Sequence, residues 1–353
     1  MVNLKKFYKG KRVFVTGHTG FKGSWLTAML HELGAEVCGY ALEPSTQPSL
    51  YKMIGGDKLC QSHIGDIADF DNLKKVFASF KPEIVFHLAA QPIVREGYKY
   101  PRYTYQTNVM GTVNIFECIR LSNCVKSVVN ITTDKVYENK EWVWGYREND
   151  VLDGYDPYAN SKSCSELVTA CYKRSYLNES KIAVSAVRAG NVIGGGDYSI
   201  DRIIPDCVSA AAAGRDIIVR NPYSVRPYQF VCDPLVAYLT IAAAQWSDGS
   251  VSGCYNIGPE NDGIVTTGEL ADLFVSCWNR GGGNAKWINK SEGGPHESNL
   301  LKLDCEKLKK VFPDLLRHDI KSAVELTVEW EKKRLANCDM AQVTKEQIRK
   351  ILG

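Results

Sequence analysis

Over its first 190 or so residues the chain alternates short β-branched runs with stretches of helical periodicity, and this alternation limits what it can fold into more than any other feature. Strands are expected at Arg12–Thr16, Glu36–Tyr40, Cys60–Ile64, Ile84–Leu88, Ser127–Thr132 and Ile182–Val187. Helices are expected between them at Gly23–Leu33, Asp69–Phe80, Tyr103–Leu121 and Tyr158–Tyr176. The last follows Asp156–Pro157, an N-cap residue with proline at the first helical position. Ile84, Val85 and Phe86 are apolar at consecutive positions, as a strand covered on both faces requires. Strand–helix alternation of this kind builds a parallel α/β sheet.

Beyond residue 190 the pattern changes. Glycines cluster at Gly194–Gly196, Gly281–Gly283 and Gly293–Gly294, and expected helices (Ile204–Ala213, Thr267–Trp278) stand between irregular loops. The expected division is a first domain over 1–190 and a smaller, mostly C-terminal α/β lobe over 191–353, with 217–246 packing back on the first. Gln229–Ala244 reads as a strand followed by a helix, and the charged tail after Trp330 as a solvated helix.

Composition removes several classes of function. Lys+Arg 43 against Asp+Glu 40 gives a net charge of +3, too balanced for a nucleic-acid or membrane-surface protein. The longest nearly uncharged apolar run, Leu235 to Trp246, is far short of the ~20 residues of a membrane span. No apolar signal segment precedes the first strand, so a cytoplasmic protein is expected. The 12 cysteines are scattered, with no CxxC or Cys/His cluster. They read as free thiols buried as small hydrophobes, and no metal site is expected.

The first strand ends in Gly17, Gly20 and Gly23, spaced GxxGxxG at the opening of a helix. Side-chain-free turns there let the backbone approach a pyrophosphate where free N–H groups and the helix dipole favour an anion. The fold is thus expected to be a doubly wound parallel Rossmann sheet holding a dinucleotide. At the end of the second strand stand Gly39, Tyr40, Ala41 and Leu42; Glu43 arrives late, and no Arg or Lys is placed to meet a 2′-phosphate. NAD is the expected cofactor. Asp66, after the third strand, either meets the adenine edge or caps a helix.

Tyr158 and Lys162, four apart at a helix start, project from one face. The lysine can lower the phenol's pKa and make it an acid/base group near neutral pH. Thr132, Thr133, Asp134 and Lys135 end the fifth strand, at the sheet edge where such folds keep ligands. A Thr–Asp pair there is also ordinary turn chemistry.

Together, TGHTGFKG, HLAAQP (His87 to Pro92), TTDKVY, YANSK, VRAGNVIGGGD and RNPYSVRPYQFV resemble the extended short-chain dehydrogenase/reductases. Within them the likeness is to the 4,6-dehydratases of CDP-glucose. It runs from about Lys11 to about Asp304, is most specific in GHTGFKGSW, EWVWGYREN and RAGNVIGGGD, and fades past Lys310.

The resemblance implies oxidation of a nucleotide sugar at C4, loss of water across C5–C6 and reduction at C6. Tyr158, helped by Lys162 and Thr133, takes the 4-hydroxyl proton, and Asp134 is general acid for the 6-hydroxyl. Lys135 stands where related dTDP-glucose dehydratases have a glutamate base; it either takes the C5 proton or steadies the enolate.

Implied cofactor contacts are Gly17, Thr19, Gly20, Phe21, Lys22 and Gly23 of the loop. Asp66 and Ile67 follow the third strand, Leu88, Ala89 and Ala90 the fourth; Asn108, Tyr158 and Lys162 complete the set. The small residues at 88–90 fit equally as sheet packing. Asn191 and Arg226 match diphosphate-binding positions. Gln91, Arg95, Arg202 and His296 are either substrate-side or interface and surface groups. By the same resemblance the partners are a nucleotide sugar and a second copy of the chain, as a homodimer or dimer of dimers through Tyr103–Leu121 and Tyr158–Tyr176.

Overall fold

The computed structural model describes residues 2–290, 300–315 and 317–353. In chain order the first elements are α1 (Leu4–Tyr8), β1 (Arg12–Thr16), α2 (Phe21–Glu32), β2 (Glu36–Ala41), α3 (Leu50–Met53), β3 (Gln61–Ile64), α4 (Phe70–Phe80) and β4 (Ile84–His87). Then come α5 (Val94–Lys99), α6 (Pro101–Tyr105), α7 (Gly111–Arg120), β5 (Ser127–Thr133), α8 (Pro157–Tyr172) and β6 (Ala183–Ala189). The main sheet is parallel throughout and runs β10-β6-β5-β4-β1-β2-β3, with β10 at Cys254–Ile257. Strand order reverses between β1 and β4, whose last residues Thr16 and His87 lie side by side, and the crevice beyond such a switch point is where these sheets hold ligands.

Alternation along β1 explains its unbroken apolar run. Val13 and Val15 enter one core with Trp25, Leu26 and Met29 of α2, while Phe14 enters the core on the other face with Leu73, Phe77, Ile115 and Phe116. Six strands match the sequence expectation to within two residues at each end. The seventh, β10, was not expected: its four residues, Cys-Tyr-Asn-Ile, are interrupted by a polar Asn256 that is wholly buried.

Two expected helices are segmented. Between α6 and α7 the backbone widens into a π-turn at Gln106–Met110, and α8 ends in another at Lys173–Leu177. The second half supplies β7 (Asn191–Ile193), α9 (Ile203–Ala212), β8 (Ile217–Val219), β9 (Val225–Phe230), α10 (Cys232–Ser247), β11 (Ile264–Thr266), α11 (Thr267–Asn279) and β12 (Trp287–Asn289). β9 joins β7 and β11 in one small sheet, β8 pairs with β12 in another, and α10 packs on β5 and β6. The chain closes with α12 (Glu306–Val311), α13 (Ile320–Leu335) and α14 (Met340–Leu352).

The tail is not a solvated helix. A left-handed turn at Asn337 (φ 57°) separates α13 from α14, and Met340, Val343 and Ile348 of α14 are buried. Trp330 Nε1 donates to Thr344 Oγ1 at 2.9 Å, and Lys345 and Arg349 reach Glu32 at the far end of α2 (3.3 and 2.9 Å). The charges of the tail occupy its outer face, so its inner apolar stripe was hidden in the composition.

No helix among the described residues is long and apolar enough to cross a membrane. Nor do those residues hold a group of three or more His, Cys, Asp or Glu side chains that could bind a metal.

One ion pair sits within the sheet layer. Arg188 of β6 grips Glu166 of α8 through two bonds of 2.8 and 2.7 Å, both side chains 2% exposed. Thr132 Oγ1 donates to the same carboxylate at 2.6 Å, and Arg188 Nη1 donates to Tyr137 Oη and Glu148 O. Arg188→Met, which leaves Glu166 buried and unpaired, should cost about 3–5 kcal/mol in urea denaturation. The double change Arg188→Met/Glu166→Leu should lose less than that; an equal or larger loss would show that the charges themselves stabilise the fold.

Candidate active site

The loop after β1 is built backbone against backbone. Gly17 has φ +76°, and a Cβ there would meet Ala89 N at 2.8 Å; one on Gly23 would lie 2.0 Å from Gly17 O. Gly20, the N-cap of α2, offers no side-chain cap, and its bare face meets only Gly17 O at 3.4 Å. The first N–H groups of α2, from Phe21 onward, thus border open space where the helix dipole is positive. A pyrophosphate fits this cradle. Thr19 Oγ1 is turned aside and donates to Leu42 O at 2.8 Å.

Thr16 Oγ1 accepts the N–H groups of Leu88 and Ala89, both at 3.1 Å, and so fixes the backbone facing the glycine loop. Thr112 gives its proton to Asn108 O, which leaves His87 Nε2 to donate to Thr112 and His87 Nδ1 to accept from Thr16. Burial, then the charge of Lys162, lowers His87 to about 3, so this ring is a neutral strut.

Several expected contacts are engaged inside the protein. Asn108, in the π-turn, accepts Gln91 N and donates to Gln91 O and Ser161 Oγ. Gln91 donates to Thr104 Oγ1 and accepts from Ile93 N. Both therefore brace the site rather than present free amides. The Ile67 side chain is a core residue, 4% exposed and packed against Gly111. Asp66 Oδ1 closes a local turn by accepting Ala68 N at 2.9 Å; the cap of α4 is Asp69.

Tyr158, Lys162 and Glu166 form an i, i+4, i+8 stripe on the face of α8 that packs on β5. The helix starts where Asp156 accepts the N–H groups of Tyr158 and Ala159. Thr133 Oγ1 donates to Asp134 Oδ1 at 3.0 Å, and Thr133 also lies close enough to Tyr158 to lower its phenol. Asp134 Oδ2 is buried with no partner among the described residues, facing Gly190.

Burial pushes the Tyr158 phenol up to about 12; Asp134 adds to the rise, while the Thr133 hydrogen bond and the Arg202 charge oppose it. Lys162 Nζ is turned to Ile131 O at 3.1 Å, and Arg202 is the cation with the largest effect on Tyr158. Lys162 itself falls to about 8 through burial and then the charge of Lys22. Lys22, in the first turn of α2, also falls to about 8, through burial and Arg202, against Asp134 and Asp197.

Asp134 is raised above the ordinary carboxylate range by burial, against Lys135, Thr133, Arg226 and Lys22. The structure thus gathers Thr133, Asp134, Lys135, Tyr158, Lys162, Lys22, Arg202 and Arg226 into one electrostatic cluster. Asn191 opens β7 beside it, half-buried. Arg226 is buried, with Nη1 donating to Val225 O. Arg202 pairs with Asp197 at 2.9 Å.

Arg95 lies 3.5 Å from Asp201, which precedes Arg202 in the chain and is also held by Arg220. His296 lies outside the described residues. Sequence reasoning missed Glu166 and Asp197; for Glu166 the signal was its place one turn beyond Lys162.

Fold and site together define an enzyme of the nucleotide-sugar dehydratase and epimerase class. A family model described as GDP-mannose 4,6 dehydratase matches residues 14–260, and the chain belongs to this family. It is 46% identical over 350 residues to CDP-glucose 4,6-dehydratase of Salmonella typhimurium, the match covering 98% of this chain and 97% of that one. To dTDP-D-glucose 4,6-dehydratase of Mus musculus it is 27% identical, with 94% and 92% covered. The solved dTDP-glucose 4,6-dehydratase of Bacillus anthracis in complex with NAD superposes with TM-score 0.75 at 21% identity over 94% of this chain and 100% of that one. UDP-glucose 4-epimerase of Thermotoga maritima with UDP-glucose gives 0.76 at 22%, covering 92% and 99%. These two likenesses establish the fold.

The raised Asp134 pKa has a stability consequence. The folded state binds this proton more tightly than the unfolded chain does. The resulting stabilisation is full below the ordinary carboxylate pKa and is lost as pH rises through the raised value. Asp134→Asn, always neutral, should therefore melt at or above the wild-type temperature at about pH 8. A clearly lower melting temperature for the variant there would refute the assignment.

Proposed function

We propose that this protein dehydrates CDP-glucose to CDP-4-keto-6-deoxyglucose with NAD as its cofactor, as a lyase of deoxysugar biosynthesis in the cytoplasm. The observation that carries the reading is a buried carboxyl group held toward its acid form, bonded by Thr133 and next to Tyr158. An epimerase that only oxidises and re-reduces C4 has no use for that acid. CDP as the nucleotide is supported by the 46% identical Salmonella relative.

NAD, when bound in the glycine cradle, supplies the reversible oxidation at C4 and reduction at C6. The chain's own groups do the rest. Tyr158 takes the 4-hydroxyl proton, with Thr133 and Arg202 favouring its ionised form and Lys162 a further cation within the site. Once C4 is a ketone the C5 proton is acidic, and Asp134 gives its proton to the departing 6-hydroxyl. Lys135, next along the chain, takes the C5 proton or steadies the enolate. Arg226, Arg202 and Asn191 receive the diphosphate, for which the guanidinium fork is suited.

We read residues 1–190 as the cofactor-binding domain and 191–353 as the substrate lobe, with 217–246 returning to the first. Exposed Met110, Leu121, Leu167 and Tyr176 on the α7 and α8 side support a homodimer through those helices.

Incubation with CDP-glucose and NAD+ in deuterated water should give loss of one water and a single deuterium at C5, read by mass spectrometry and proton NMR. Unchanged CDP-glucose alongside turnover of another nucleotide sugar would overturn the substrate assignment. Asp134→Asn should slow water loss by ~100-fold or more while C4 oxidation persists, and Tyr158→Phe should lose ~100- to 10,000-fold overall. Dehydration at the wild-type rate in either variant removes the role given to that residue.

A further inference from the structure

The glycine run after β7 lies between the catalytic cluster and the carboxyl-terminal helices, and both sides hold it. Trp25 Nε1 of α2 donates to Gly195 O at 3.1 Å. From the other side Trp330 of α13 lies so close that a Cβ on Gly195 would stand 2.2 Å from the indole. The next residue of α13, Glu331, is 1% exposed. Its Oε1 accepts the Gly196 N–H at 3.0 Å, and its Oε2 accepts Arg334 Nε at 2.7 Å. Arg334 in turn lies 5.5 Å over the ring of Tyr198.

Between Gly196 and Tyr198 stands Asp197, buried at 6% exposure. Its Oδ1 accepts Ser199 N at 3.0 Å, and its Oδ2 accepts Arg202 Nη1 at 2.9 Å. Arg202 is the cation that acts most on Tyr158. A continuous set of short contacts thus leads from a carboxylate in the last helix pair to a guanidinium in the reaction site.

We propose that Glu331 is a positioning residue for the substrate: through Gly196 and Asp197 it sets the direction of the Arg202 guanidinium toward the nucleotide-sugar diphosphate. The proposal rests on the assignment of Arg202 to the substrate made above. Removing the Glu331 carboxylate leaves the Gly196 N–H buried without an acceptor and frees Asp197 to move with Arg202. Phosphate recognition by a planar fork depends on direction, whereas the effect of the Arg202 charge on Tyr158 depends on distance, so a small swing weakens substrate binding far more than it alters the Tyr158–Thr133–Asp134 chemistry. α13 lies beyond residue 260, where the family model ends, so the family motifs do not mark this residue.

The test is steady-state kinetics on Glu331→Ala, Glu331→Gln, Arg202→Ala and the Glu331→Ala/Arg202→Ala pair, with melting temperature and NAD dissociation constant measured for each. Glu331→Ala should raise the KM for CDP-glucose about tenfold, with kcat and NAD affinity within about twofold. Glu331→Gln, which keeps an acceptor for Gly196, should recover most of the loss. In the Arg202→Ala background the added Glu331→Ala change should move KM by less than about twofold.

An equal effect of Glu331→Ala in both backgrounds overturns the proposal, as does a joint fall of kcat, NAD affinity and melting temperature. A wild-type KM for Arg202→Ala would instead remove the assignment of Arg202 to the substrate, and the proposal with it. Should Glu331→Ala fail to fold, Arg334→Met, which removes the bond orienting Glu331, carries the same comparison.

Discussion

The bidentate pair between Glu166 and Arg188 is the contact on which the geometry of the site turns. It joins α8, which carries Tyr158 and Lys162, to β6, and through Thr132 to β5, which ends in Thr133. A one-residue slip of α8 against the sheet would carry the phenol away from Thr133 and Asp134. It would also leave two buried charges unmatched, and that penalty makes one register far better than its neighbours. Asn256 of β10 extends the same network by accepting from Tyr137 at 2.6 Å, so the edge strand is tied to the centre by polar as well as ladder bonds.

Within that frame the titratable groups of the site share a tendency. Burial holds Tyr158 and Asp134 toward their protonated, neutral forms and brings Lys22 and Lys162 down to about 8. The site is dry enough that each group resists carrying charge, yet enough charges cluster there to move protons among them at modest cost. A carboxylic acid that still holds its proton is what expulsion of a hydroxyl requires, while the lysines and arginines keep the cluster attractive to a diphosphate.

Most of the sheet was legible because β-branched runs and glycine spacing are local signals. The cradle at Gly17, Gly20 and Gly23 and the stripe at Tyr158 and Lys162 could be found by counting along the chain. β10 could not, because four residues with a buried asparagine carry almost no periodicity, and its place beside β6 is decided by contacts made at long range. The inner face of α14 was masked by the charges on its outer face. Asn108 and Gln91 look like ligand-facing amides in sequence; only the packing shows that they bond one another. The bond from the Lys162 ammonium to the carbonyl of Ile131 depends on how α8 packs on β5, which the sequence does not spell.

The position of β10 also governs the order in which the molecule can assemble. Its strand closes the edge of the sheet, yet it leaves the ribosome only after the whole segment from β7 to α10 has been made. The core beneath α2 draws on residues from Tyr8 to Ile348, so the nascent chain cannot seal it before α14 has been made. Such distant closures make for slow folding, with apolar strand surface uncovered during synthesis. A core whose partners lie so far apart in the chain stays open through much of its synthesis, so protection during translation matters to it as much as the stability of the finished state.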